Sequence, residues 1–358
     1  MGDKTAKETI GVLLLNLGGP DSLQAVRPFL YNLFSDRQII KLGPEFLQKP
    51  IAWLISTTRH KKTEGFYSLI GGKSPILDIT IAQARALEEE LNQSTEARKR
   101  GSAEVSGLQT SELADFQPVF KVFVAMRYWR PSIEKVISGV YEMGIRKIIA
   151  LSLYPQYSIA TTGSSILKVK EVVSEYRIDV SYVESWFNHP LYIEALVDLI
   201  RKGMDAFAES MEHRAKNMEP DIHVLFSAHS LPQKFIDDGD PYVNEIMGTI
   251  MEIAKKMDIN WHLSYQSKSG PVKWLEPSTD EKLKELAAKG VRNILVVPIS
   301  FVSDHIETLY EIDILYRQMA EGLGLCLRRT ESLNTHPVFI EAMRDIIIKN
   351  VKELKWIG

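Results

Sequence analysis

A buried strand, a polar loop and a helix follow one another within residues 293–319, and no other feature narrows the available folds as much. Asn293-Ile-Leu-Val-Val297 is a short apolar run, the signature of a strand covered on both faces of a parallel sheet. Leu309, Ile312, Tyr316 and Met319 then recur at intervals of three and four, the apolar stripe of a helix. At about 100° per residue, Asp304, Glu307 and Glu311 fall within about 60° of one another on another side of that helix. Open parallel sheets bind ligands at the carboxyl ends of their strands. Ser303, Asp304, His305 and Glu307 occupy such an end. The same residues admit a second reading: Asp304 followed three residues later by Glu307 is a capping box, and helix carboxylates can form a merely solvated face.

The strand–loop–helix order repeats along the chain. Residues 11–17 run into Gly18-Gly19-Pro20, 121–125 into Met126-Arg-Tyr-Trp-Arg-Pro131, and 147–153 into Tyr154-Pro-Gln-Tyr-Ser158. In the second half, 221–228 runs into His229-Ser-Leu-Pro232 and 261–265 into Gln266-Ser-Lys-Ser-Gly-Pro271. Gly-Ile-Arg-Lys-Ile-Ile at 144–149 is echoed by Gly-Val-Arg-Asn-Ile-Leu at 290–295, a weak internal repeat. The pattern predicts an α/β protein of two similar Rossmann-like lobes, each a parallel β-sheet flanked by helices, facing across a cleft. Residues 1–189 form the first lobe and 190–334 the second, with His229 and Glu307 on the second. A final amphipathic helix within 335–358 packs back on the first lobe. Two polar stretches, 94–117 and 209–221, read as insertions or surface loops.

At 358 residues, 45% hydrophobic and 25% charged, the chain is an ordinary globular protein with ample core. A net charge of −3 and a pI near 6.3, with no long basic run, argue against nucleic acid as a partner. One thiol, Cys326, cannot build a disulfide, zinc cluster or iron–sulfur cluster within the chain, which suits a reducing compartment. No apolar run approaches the ~18 residues of a membrane span. Residues 10–15 are too short for a signal sequence, so a cytoplasmic location is expected.

One segment departs from this pattern. Between 39 and 55 the chain collects Ile39, Ile40, Leu42, Phe46, Leu47, Ile51, Trp53, Leu54 and Ile55, and Arg59, His60, Lys61 and Lys62 follow. An apolar, aromatic helix with a basic flank suits a membrane surface or the lip of a pocket for a large flat ligand; it also suits a core helix. His229 is equally open. At a strand end, between Ser227 and Ser230, a histidine serves as a base or ligand, or as a satisfied structural group.

These stretches, taken in order, resemble ferrochelatase over nearly the whole chain. The resemblance runs through Leu15-Asn-Leu-Gly-Gly-Pro20, Tyr67-Ser-Leu-Ile-Gly-Gly-Lys-Ser-Pro75, Met126-Arg-Tyr-Trp129 and Tyr154-Pro-Gln-Tyr-Ser158. It continues through Ser227-Ala-His-Ser-Leu-Pro232, Gln266-Ser-Lys-Ser-Gly-Pro271 with Trp274-Leu275, and Ser303-Asp-His-Ile-Glu-Thr-Leu309. It implies a lyase that inserts Fe²⁺ into protoporphyrin IX, the last step of haem biosynthesis. His229 and Glu307 are then the catalytic and metal-facing pair. Tyr67, Ser74, Arg127, Tyr128, Trp274, Asp304 and His305 are then substrate-binding. Residues 39–55 become a pocket lip that touches the inner face of a membrane, and the protein a monomer or homodimer with porphyrin and Fe²⁺ as its partners. Some members carry a C-terminal cysteine set for a [2Fe–2S] cluster; these residues hold none, so no cluster and no permanent cofactor are expected. Coproporphyrin III is the alternative substrate, although the long apolar lip suits the less polar protoporphyrin. A non-catalytic haem-delivery protein is the alternative class, and would sit better with the loss of His229 or Glu307.

Overall fold

The structure, a computed structural model, describes residues 8–93, 118–211, 221–268, 270 and 272–356. Of the two polar stretches read as loops, 94–117 lies outside these residues, as does 212–220 of the second. In chain order the elements are β1 (Thr9–Asn16), α1 (Val26–Ser35), α2 (Glu45–Ser68), α3 (Ile76–Asn92), β2 (Val119–Met126), α4 (Ile133–Glu142) and β3 (Lys147–Ser152). A π-helical turn, Ile159–Gly163, leads into α5 (Ser164–Val173), and β4 (Asp179–Val183) and α6 (Pro190–Met211) follow. The second half holds β5 (Ile222–His229), α7 (Gln233–Asp237), α8 (Tyr242–Ala254), β6 (Asn260–Gln266), α9 (Thr279–Ala288) and β7 (Asn293–Pro298). A π-helix, Glu307–Tyr316, then runs into α10 (Arg317–Gly322), followed by β8 (Cys326–Arg329) and α11 (Pro337–Glu353).

The strands form two parallel four-stranded sheets, in the orders β2-β1-β3-β4 and β6-β5-β7-β8. The echo between 144–149 and 290–295 is therefore structural. β3 and β7 each begin within it and each hold the third position of their own sheet. Gly144 and Gly290 end the preceding helices with φ of +80° and +85°, the left-handed conformation that a residue without Cβ adopts most cheaply at a helix C-terminus. Every residue of β7 is buried, as its unbroken apolar run requires.

One core cluster runs through both sheets. Ile10, Val12 and Leu14 of β1 join Val224 and Phe226 of β5 and Leu295 and Val297 of β7 through Ile193, Leu196 and Ile200 of α6 and Phe339, Met343 and Ile347 of α11. α11 packs on both α3 and α6, so the last helix ties the two halves together. Separate clusters cover the outer faces, α4 and α5 on the first sheet and α9 and α10 on the second. Because all strands within a sheet run the same way, the carboxyl ends of β1, β5, β6 and β7 release Asn16, His229, Gln266 and the 299–306 loop toward a common region.

Candidate active site

Residues from both halves line a cavity of about 200 Å³. The first half contributes Leu17 after β1, Phe29, Leu30 and Leu33 from α1, Tyr67 from α2, and Tyr154. The second contributes Phe301, His305, Ile306 and Glu307. The walls are mostly apolar with a few polar groups among them, as in pockets that hold an apolar ligand in one orientation. Ser74 forms part of the rim. Its N–H donates to the Pro20 carbonyl at 2.8 Å, and a Cβ on Gly19 would stand 2.5 Å from Ser74 Oγ. Only glycine lets these two loops approach so closely.

His229 is held by its own backbone. Its N–H donates to Ser300 Oγ (2.9 Å), and its carbonyl accepts from the Tyr242 hydroxyl (3.0 Å). So anchored, the imidazole Nδ1 meets Glu307 Oε2 at 2.8 Å. The same carboxylate oxygen accepts from Ser267 Oγ at 2.9 Å and from Gln266 Nε2 at 3.3 Å. Ser227 Oγ donates to Gln266 Oε1 at 2.6 Å, which turns the amide nitrogen toward Glu307. Glu311 lies one π-turn beyond Glu307. It accepts from the Ser267 N–H (2.9 Å) and the Tyr316 hydroxyl (3.0 Å), and competes with Glu307 for the one Ser267 hydroxyl proton. The wider turn of a π-helix, a device often found at functional sites, sets Glu307 and Glu311 side by side around Ser267.

Charge organises this cluster. Burial alone would raise the Glu307 carboxyl, but His229, His305 and Ser267 together lower it to about 2. Glu307 is therefore an ionised acceptor, and His229 Nδ1 must carry the shared proton. Burial pulls the His229 pKa down, yet the Glu307 charge outweighs it and the value is raised. Glu311 moves the other way, pushed up by burial and then by the neighbouring Glu307 charge. The His229 and Glu307 side chains are 32% and 21% exposed, so the pair opens onto the cleft.

His305 closes one side. Its Nδ1–H donates to the Ser303 carbonyl (3.0 Å), and its ring packs on Phe301 with centroids 4.1 Å apart. Its Nε2 is buried without a hydrogen-bond partner among the described residues, 4.0 Å from Glu307 Oε1. Burial lowers the pKa of this ring, so it is neutral. Among the described residues no group of three or more His, Cys, Asp or Glu is arranged to hold a metal ion.

The other residues read as site residues from the sequence are distributed more widely. Tyr67 lines the cavity, 4% exposed, its hydroxyl pKa pushed up by burial and by Glu307. Arg127 and Tyr128 direct their polar groups at Asp36. Arg127 Nη2 lies 2.6 Å and the Tyr128 hydroxyl 2.5 Å from Asp36 Oδ2, and Ser164 joins both. Trp274 pairs with Pro232 in a short antiparallel bridge just past His229, its indole N–H buried and unpartnered among the described residues.

Asp304 faces away from Glu307. Arg329 Nη1 lies 3.0 Å from its carboxylate, and Ser332, Asn334 and Thr308 donate to it. The capping box is not formed: Ile306 occupies the N-cap with no side-chain cap, and Glu307 turns to His229. A nearby guanidinium attracts Asp304 more strongly than two backbone N–H groups would.

Sequence reasoning singled out neither Asp36 nor Ser267 by role. Ser267, with φ +67°, occupies the backbone region where a turn re-aims a side chain, but nothing in its spacing announces that.

Two parallel sheets sharing one core, with a polar cluster at the strand ends, define a two-lobe α/β fold also seen in SirB from Bacillus subtilis with Fe³⁺. That structure covers 98% of this chain and 99% of its own, at a TM-score of 0.51 and 11% identity. The chain belongs to the ferrochelatase family. The family model Ferrochelatase matches residues 9–351. The ferrochelatase of Geotalea uraniireducens (strain Rf4) is 49% identical over 98% of this chain and 99% of its own. That of Geobacter metallireducens (strain ATCC 53774 / DSM 7210 / GS-15) is 48% identical, again over 98% and 99%.

Proposed function

We infer that this protein is a lyase that inserts Fe²⁺ into protoporphyrin IX, giving protohaem and releasing two protons. Family membership along almost the full length supports the reaction, and the 2.8 Å contact between His229 and Glu307 at the cavity carries the assignment of its chemistry. A planar porphyrin keeps its pyrrole N–H groups in the ring plane. Metal enters only if the ring bends and those protons leave. Tight apolar walls around Leu30, Leu33, Phe301 and Ile306 favour a bent ring, a strain offset by contacts along its edges.

His229 is the base in this reading. Its Nδ1–H faces the Glu307 carboxylate, which leaves Nε2 as the accepting nitrogen. The imidazolium formed on protonation is stabilised by the ionised Glu307. Glu307 and His229 also offer one oxygen and one nitrogen ligand, a borderline set that holds Fe²⁺ without trapping it. His305 adds a further polar group to the cavity lining, and the Ser267–Glu311 pair backs Glu307. The enzyme keeps no resident cofactor; iron is its substrate. Coproporphyrin III is less well supported because the apolar stretch 39–55 suits the less polar protoporphyrin, and a purely haem-carrying role because both members of the pair are present. Fe²⁺ insertion into protoporphyrin by the purified protein, followed by absorbance, tests the reading. Absence of insertion under reducing conditions would end it.

Peripheral attachment to an anionic membrane surface belongs to the same reading. Phe46, Leu47, Trp53 and Leu54 are 77%, 37%, 54% and 55% exposed. Their spacing, 46 with 53 and 47 with 54, puts them on one face of α2. Lys61 and Lys62 are exposed further along the same helix. No helix among the described residues is long and apolar enough to cross a membrane. One apolar face with a basic flank supports a helix that rests in the interface.

A further inference from the structure

The outer side of α1 and α2 carries a second concavity, separate from the catalytic cavity, of about 230 Å³. Arg27, Pro28, Tyr31, Trp53 and Ser56 line it. Arg27 is half-buried, and its guanidinium carbon lies 5.6 Å from the centre of the Trp53 ring. Among the described residues Arg27 has no carboxylate partner, and neither its guanidinium nor the Tyr31 hydroxyl has a hydrogen-bond partner. The Ser56 hydroxyl is committed to the Trp53 carbonyl at 2.9 Å. A guanidinium pre-oriented on an indole face, with its N–H edge unspent, is built to take a planar or tetrahedral oxyanion two-pronged.

The position decides which oxyanion. Of the α1 residues that line the catalytic cavity, Phe29 and Leu33 lie about 200° around the helix from Arg27 and Tyr31 and Leu30 about 60° from Arg27, and no residue is common to the two linings. Trp53, in contrast, is shared between the concavity and the exposed apolar face that also carries Phe46, Leu47 and Leu54. An aromatic ring at headgroup depth beside an unpaired arginine matches a lipid phosphodiester in both depth and charge.

We propose that Arg27, Tyr31 and Trp53 form a binding site for the phosphate of one anionic membrane lipid. The site rests on the membrane-surface reading above and sharpens it from diffuse attraction to a defined contact.

The test is vesicle co-sedimentation of the full chain on phosphatidylcholine alone and on phosphatidylcholine containing phosphatidylglycerol, with equal melting temperatures checked for every variant. Arg27→Gln should weaken binding to the phosphatidylglycerol vesicles about ten-fold, the scale of a lost charge-assisted hydrogen-bonded contact. Arg27→Lys should not restore it, because an ammonium neither forks nor stacks as a guanidinium does. If Arg27→Lys binds like the parent, only diffuse charge is at work and the site is wrong. It is equally wrong if Arg27→Gln binds like the parent while Trp53→Glu with Leu54→Glu loses the vesicles; the membrane face then stands without it. Should the Trp53 and Leu54 double variant also bind like the parent, the membrane-surface reading itself falls and the site with it.

Discussion

Nδ1 of His229 and Oε2 of Glu307 stand 2.8 Å apart, although 78 residues separate them in the chain. His229 closes a buried strand and Glu307 begins a π-helix that lines the cavity, so the contact ties the carboxyl end of β5 to the start of that helix. The Glu307 carboxylate is spent on this contact and on Ser267 and Gln266, and not on the helix N-terminus.

Glu307→Gln should therefore abolish turnover without unfolding the protein. The amide keeps the shape but neither carries the charge nor accepts the proton. We expect a loss of ~10²–10⁴ in rate, with a cooperative melting transition kept and stability lowered by the lost charge contact to His229. Activity by absorbance and melting by calorimetry read the two separately. A variant that keeps the parent rate would make Glu307 a purely structural partner of His229.

His229→Ala should lose Fe²⁺ insertion by at least the ~10² of a missing general base. Porphyrin binding, followed by fluorescence, should persist, because the cavity walls come from other residues. A variant retaining more than about a tenth of the parent rate would make the imidazole structural, given that same ~10² floor.

The pH dependence follows from the sign of the His229 shift. Its pKa is raised above the ordinary 6.5, so the neutral, proton-accepting form is complete only above the raised value and is lost as pH falls through it. The rate of insertion should fall on the acid side with an apparent pKa above 6.5. In Glu307→Gln the histidine should titrate lower, measured by NMR. An unmoved histidine in that variant would show that the carboxylate does not set its basicity.

Asp304→Asn should act on stability. The carboxylate shares Arg329, a side chain 9% exposed, with Asp313 and accepts from Ser332, Asn334 and Thr308, so the amide leaves buried donors partly unmet at a cost of ~1–3 kcal/mol. Denaturant midpoints should drop accordingly, while the folded fraction keeps its affinity for porphyrin. A stable variant with weakened porphyrin binding would instead make Asp304 a substrate contact.

The active protein should contain no stoichiometric acid-labile sulfide, since its one cysteine, Cys326, offers at most a single thiolate ligand. Equimolar sulfide in active preparations would contradict this.

Much of the architecture is written in the order of residues. β7 announces itself because a strand covered on both faces has no polar position to spare, and every residue of 293–298 is buried. The echo between Gly144 and Gly290 discloses two equivalent sheets because each glycine ends a helix shortly before the third strand of its sheet. His229 and Glu307 could be picked out because strand ends in parallel sheets are where ligands bind, and the family motifs point to the same residues.

What periodicity cannot carry is the choice of polar partner. Asp304 and Glu307 lie on one helix edge by spacing, yet one is taken by Arg329 and the other by His229. Arg127 and Tyr128 satisfy Asp36, 91 and 92 residues away. The spacing of Leu309, Ile312, Tyr316 and Met319 fits an ordinary helix, but the chain winds more widely there, with Glu307 and Glu311 both on Ser267. Hydrophobic burial repeats along the chain and so leaves a local trace. Charges and hydrogen bonds are matched one to one through space, and only the assembled fold decides which groups come within reach.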